Sequence, residues 1–146
     1  MNVNDYLINQ AGKNWQQLLH RWVPPLPEDF TIWLVNRLGE LIIIDNGTVH
    51  WLVPGEGRLV KVADSQEHFA QLLDKENNAE RWLRLSLVDD CRRAGMTLAE
   101  NECYGFKIPP ILQGQYEVAN LKPTPLNQHY SLLAHLHRQE EIYWTV

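Results

Sequence analysis

The stretch Leu41-Ile42-Ile43-Ile44-Asp45-Asn46-Gly47-Thr48-Val49-His50-Trp51-Leu52-Val53 reads as two short apolar runs joined by a turn. Asn and Gly both accept positive φ, so Asn46-Gly47 between β-rich runs is a hairpin signal. Outward from it, Phe30 to Val35 lies before the turn-prone Leu38-Gly39-Glu40. Leu59 to Val62 lies beyond Pro54-Gly55-Glu56-Gly57. Residues 30–63 are expected to form an antiparallel meander of about four strands.

The flanking segments carry a different period. Residues 1–27 place Tyr6, Leu7, Trp15, Leu18, Leu19 and Trp22 with helical spacing in the second half and a break at Gly12. This is a helical lead-in that Pro24, Pro25 and Pro27 stop. Across 64–95 the pattern predicts two helices. The first opens at Asp64 with Glu67 three residues later, a capping-box spacing, and carries Phe69, Leu72 and Leu73 as its buried stripe. The second runs from about Ala79 to Ala94, with Leu83, Leu87, Cys91 and Ala94 on one face and Gly95 as its stop.

Residues 103–121 are expected to hold strands. Cys103 to Ile108 alternates Tyr104, Phe106 and Ile108 with Gly105 and Lys107, the period of a half-buried strand, and Pro109-Pro110 ends it by removing two backbone donors. Tyr116 to Leu121 is the second strand of this region. A terminal helix spans 126–141, with Tyr130, Leu133, Ala134, His137 and Glu141 along one stripe. The fold class is α+β: an antiparallel meander sheet with helices packed on it, in a single domain.

Composition agrees with one soluble globular unit. A chain of 146 residues buries roughly 70% of its unfolded surface, and 45% hydrophobic with 21% charged residues is an ordinary balance. Six Trp point to a large aromatic core or contact surface. The net charge of -5 repels a phosphate backbone, and the 13 Lys and Arg are scattered apart from pairs such as Arg92-Arg93. Direct nucleic-acid binding is therefore not expected. The first residues lack the basic and apolar regions of a secretory signal, and no apolar run reaches membrane-span length. The expected address is cytoplasmic, with no membrane partner.

The residues that carry chemistry do not assemble into a catalytic motif. Cys91 and Cys103 match no zinc spacing and no disulfide framework, and both read as reduced core thiols. On one helix His135 and His137 point about 200° apart, and His129 lies about 12 Å of rise from His137, so the three do not converge on an ion. Asp89-Asp90 and Glu140-Glu141 are sequence neighbours that diverge by about 100° and form no carboxylate dyad. Gly55-Glu56-Gly57 lacks the glycines and helix of a nucleotide loop, so no cofactor is expected. Lys107 inside an apolar strand has to reach solvent, an acid or a partner.

The chain resembles the type VI secretion immunity proteins that neutralise a DNase effector, and more broadly the SUKH-like immunity group. The likeness rests on Trp33-Leu34-Val35-Asn36-Arg37-Leu38-Gly39, Gly47-Thr48-Val49-His50-Trp51-Leu52, the Trp82-Leu83 helix, the run from Cys103 to Gly114, Gly114-Gln115-Tyr116 and His137-Arg138-Gln139. That family usually has a second glycine before Gly114, where this chain has Gln113, and a polar tail where this chain has Tyr143-Trp144.

The resemblance implies a non-enzymatic protein that binds a cognate toxin, a nuclease effector. An acidic protein suits the basic cleft of a DNA-gripping enzyme and gains electrostatic steering at encounter. Candidate contacts are the acids Glu56, Asp74, Glu76, Asp89, Asp90, Glu140 and Glu141, the lysine Lys107, and Trp51 and Trp144 as exposed aromatic anchors. Two alternatives stand beside it. One is a small hydrolase using Cys103 with His129 or His137; the other is a small-molecule or peptide-binding module in the concavity between sheet and terminal helix.

Overall fold

A computed structural model describes the backbone of residues 2–145 and the side chains of residues 2–138. The meander is present, with strands β1 (Thr31–Val35), β2 (Leu41–Asp45), β3 (Thr48–Val53) and β4 (Arg58–Ala63) in the order β1-β2-β3-β4. All its pairings are antiparallel. Asn46 and Gly47 both take positive φ, 49° and 82°, as the β2–β3 turn demands.

The continuous apolar run of β2 has a physical reason, because the sheet is covered on both faces. Leu41 and Ile43 enter a core shared with Val35, Leu52, Trp22 and Tyr130, whereas Ile42 enters another with Val49, Trp51, Phe69 and Trp82. Alternate residues of one strand thus feed opposite layers. The second layer is aromatic: Phe69 is fully buried, 4.6 Å from the Trp82 ring and 5.1 Å from the Trp33 ring.

Helix α1 (Trp15–Leu18) lies in the N-terminal lead-in, and α2 (Gln66–Leu73) follows β4. The cap of α2 is Ser65, one residue later than the spacing suggested. The Ser65 hydroxyl accepts from the His68 amide at 3.0 Å, and the His68 ring, in the role expected of Glu67, accepts the Asp64 amide at 3.0 Å. Asp64 is occupied instead by Lys61, 2.8 Å away, which holds its carboxyl below the usual range.

The helix expected over Ala79 to Ala94 is two helices, α3 (Asn78–Leu83) and α4 (Leu85–Arg93), because Arg84 adopts a left-handed φ of 53°. The break rotates the later stripe. Val88 and Cys91 become buried, Leu87 is half-buried, and Ala94 faces solvent. Gly95 stops α4 as expected, with Met96 N–H donating to the Cys91 carbonyl and Gly95 N–H to that of Arg92, the pattern of a Schellman end.

The last sheet is a two-stranded ribbon of β5 (Glu102–Phe106) and β6 (Leu121–Pro125). Two expectations change here. The second strand starts where Tyr116 to Leu121 was expected to end, since Pro123 and Pro125 disguise an edge strand. β5 is buried on both faces and ends at Phe106, so Lys107 and Ile108 lie beyond it in solvent. Gly105 is required: a Cβ there would sit 2.4 Å from Thr124 Oγ1. The terminal helix α5 (Leu126–Thr145) begins at the expected residue, and Tyr130, Leu133 and Ala134 are buried along it.

Candidate functional site

Three irregular segments meet: the β3–β4 tip at Pro54–Glu56, the α3–α4 junction at Arg84, and the loop from Lys107 to Tyr116. A polar chain joins them from the core outward. Glu40 is only 3% exposed, yet its carboxylate accepts two bonds from the Arg84 guanidinium, at 3.0 and 2.8 Å. Asn36 completes the acid's partners, donating to Glu40 at 2.8 Å and to the Trp82 carbonyl at 3.0 Å. Burial alone would lower the Arg84 pKa. The charge and hydrogen bonds of Glu40 outweigh it, and the net shift is upward.

Arg84 lies 4.2 Å over the Tyr116 ring and 5.6 Å from Trp51. The Tyr116 hydroxyl donates to Glu56 at 2.6 Å, and Glu56 also pairs with Arg58 at 3.0 Å. Burial, then this bond to Glu56, pushes the Tyr116 phenol far up, so it stays a proton donor.

The loop itself is latched by one side chain. Asn120 accepts the Ile108 amide at 2.9 Å and donates to the Ile108 and Gln115 carbonyls, each at 2.8 Å, so both backbone groups of Ile108 are held. Gly114 lets the strands of the loop approach: a Cβ there would fall 1.6 Å from the Ile108 carbonyl oxygen. Pro110 packs on Gly55, where a Cβ would meet it at 3.0 Å. The result is a rigid loop that presents Ile108, 55% exposed, and Leu112, 48% exposed, beside the exposed Lys107. A loop this tightly bonded would lose little further ordering entropy if its apolar groups were covered.

Gln113 has φ +73°. A β-carbon is disfavoured there. Gln113→Gly is expected to raise stability by about 0.5–1 kcal/mol, read as a higher urea midpoint at unchanged slope.

The residues singled out from the sequence fall into separate places. Glu56 and Lys107 border the loop site. Trp51 is 6% exposed, covered by Arg84 and Arg81, so it is a buried platform and not the exposed anchor expected of it. Asp89 accepts the Tyr6 hydroxyl at 2.8 Å, whereas Asp90 is exposed and pairs with Arg93 at 2.7 Å. Asp74 and Glu76 are exposed in the α2–α3 connection. The side chains of Glu140, Glu141 and Trp144 lie outside the described residues.

Asn36, Glu40, Arg84, Tyr116 and Asn120 were not singled out for roles. The available signal was Glu40 itself, an acid set directly against the apolar run Leu41 to Ile44.

The thiol–imidazole reading meets an unfavourable environment. Cys103 is fully buried, and burial pushes its thiol far above the ordinary value; burial likewise pushes Cys91 up to about 11. Neither is a ready thiolate. His135 is exposed, and His137 stacks on Trp22 with ring centroids 6.2 Å apart. The space between sheet and α5 is filled by Tyr130, Leu133 and Ala134, with the Tyr130 hydroxyl donating to the Gly39 carbonyl at 2.7 Å.

His129 is buried between Phe106 and Tyr130, and burial lowers its pKa to about 4 from 6.5, against a smaller upward pull from the Leu38 backbone. The unfolded chain therefore takes up this proton first as pH falls. Stability owing to neutral His129 should be complete above pH 6.5 and decline between 6.5 and 4, by roughly 3 kcal/mol in all. Urea titrations across that range should show the decline, and His129→Phe should flatten it.

Among the described residues, no helix is long and apolar enough to cross a membrane. Comparison with curated proteins gives no match. The family model described as T6SS immunity protein Tdi1, C-terminal, matches residues 63–137. That span runs from the end of β4 through the latched loop into α5, and leaves β1 to β3 before it. With half of its length so matched, the chain belongs to the type VI secretion system immunity protein Tdi1 C-terminal family.

Proposed function

We propose that this protein is a non-enzymatic immunity protein that neutralises a cognate antibacterial toxin by binding it in the cytoplasm, the toxin being a type VI secretion DNase effector. The observation that carries the reading is the latched loop, which holds Ile108 and Leu112 in solvent within the family-matched span. Rigid apolar groups at a surface supply contact energy with little ordering entropy left to lose. Lys107, Glu56 and Arg58 form its polar border. The net charge of -5 supports a partner with a basic nucleic-acid cleft, through faster encounter that weakens with salt.

Co-expression with the candidate effector, co-purification and a DNA-cleavage assay test this. A stoichiometric complex with suppressed cleavage is expected. Ile108→Asp with Leu112→Asp should weaken the complex by about 100-fold or more, with thermal stability unchanged because both side chains are already exposed. No complex at low salt, or full cleavage in its presence, would sink the immunity reading.

A further inference from the structure

On another part of the surface, four elements bring two arginines to one cavity that nothing above uses. Arg37 comes from the turn after β1 and Arg92 from α4; Met96 and Leu98 follow α4, and Tyr104 comes from β5. They line an open cavity of about 360 Å³. Two like charges share this lining in a protein of net charge -5. Among the described residues neither guanidinium takes part in an ion pair.

The hydrogen-bond acceptors they do have are uncharged backbone carbonyls. Arg37 donates to the Asn4 carbonyl at 3.2 Å, and its Nε is buried without a hydrogen-bond partner. Arg92 donates to the Asp5 carbonyl and lies 5.3 Å from the centre of the Tyr6 ring. Burial first, then Arg92, lowers the Arg37 pKa, with Tyr104 and Asp5 opposing. The Asp5 carboxylate is thus near enough to bias Arg37 without pairing to it. The Tyr104 hydroxyl is committed to the Met96 carbonyl at 3.1 Å and leaves the cavity cationic.

We infer that Arg37 and Arg92 form a binding site for an oxyanion, a phosphate group held between two guanidiniums. Planar guanidinium groups offer paired donors that match phosphate oxygens, and an anion relieves the repulsion between them. The cavity's volume suits a free ion or the phosphoryl end of a small molecule. This inference is independent of the toxin-binding reading.

The test is an amide NMR titration of the whole folded protein with sodium phosphate, against sodium chloride at matched ionic strength, repeated with adenosine monophosphate. Saturable shifts at Arg37, Arg92, Met96 to Leu98 and Tyr104 are expected with phosphate and not with chloride. Arg92→Gln, on an exposed helix position, should weaken binding by about tenfold or more while preserving the remaining spectrum. Arg37→Gln should do the same if it folds. Tighter binding of the nucleotide would assign a phosphoryl group on a carrier, and equal or weaker binding a free ion. Shifts that merely track ionic strength, or saturable shifts unaffected by Arg92→Gln, would overturn the site.

Discussion

Arg84→Met is expected to lower the unfolding free energy by about 3–5 kcal/mol, the largest loss from any single replacement in the polar chain. The substitution leaves the Glu40 carboxylate, 3% exposed, with the Asn36 side-chain amide but no countercharge. A buried carboxylate in that state must protonate or drag water inward. It also strands Tyr116, whose ring loses the cation 4.2 Å above it.

The double variant Glu40→Met with Arg84→Met separates the two causes. If the single loss comes from an orphaned charge, the double variant should recover most of it, since replacing both partners of a buried pair by apolar groups is near neutral. Urea denaturation of the wild type, both singles and the double would measure this cycle. A single Arg84→Met variant as stable as the parent would show that the pair has no such role.

Gly114→Ala is expected to unlatch the contact loop and to lower stability by about 2–4 kcal/mol. The new methyl would fall 1.6 Å from the Ile108 carbonyl oxygen and 2.9 Å from Asn120 Nδ2. Backbone has to move, and the group displaced is the one that Asn120 holds. The bonds from Asn120 to Ile108 and Gln115 should be lost together, making residues 107–116 a site of rapid proteolytic nicking and amide exchange. If the loop is the toxin contact, affinity falls with it. Protection at Ile108 equal to the parent's would refute the latch.

Much of this architecture was legible from local pattern. Asn46-Gly47, the prolines after Trp22 and the start of α5 at Leu126 are each encoded within a few residues, because φ preference and side-chain period act over that range. Where the reading slipped, a distant partner had intervened. The helix over 79–94 has no local breaker; Arg84 leaves helical geometry in the structure that brings its guanidinium to Glu40, 44 positions earlier. Pro123 and Pro125 hide β6, because its pairing is decided by β5. Trp51 looked like an exposed anchor since strand periodicity cannot say that both faces of a sheet are covered.

By itself, then, the sequence determined the α+β class, the meander, the terminal helix and the resemblance to immunity proteins, all carried by residues near one another in the chain. Only the tertiary structure decided that Glu40 and Arg84 form the buried end of a polar chain. It also decided that Asn120 latches a loop 12 residues upstream, and that Ile108 leaves the strand to stand in water. The physical reason is range: propensity and period act between neighbours, whereas desolvated charge pairs and loop closure depend on which distant segments the core has already brought together.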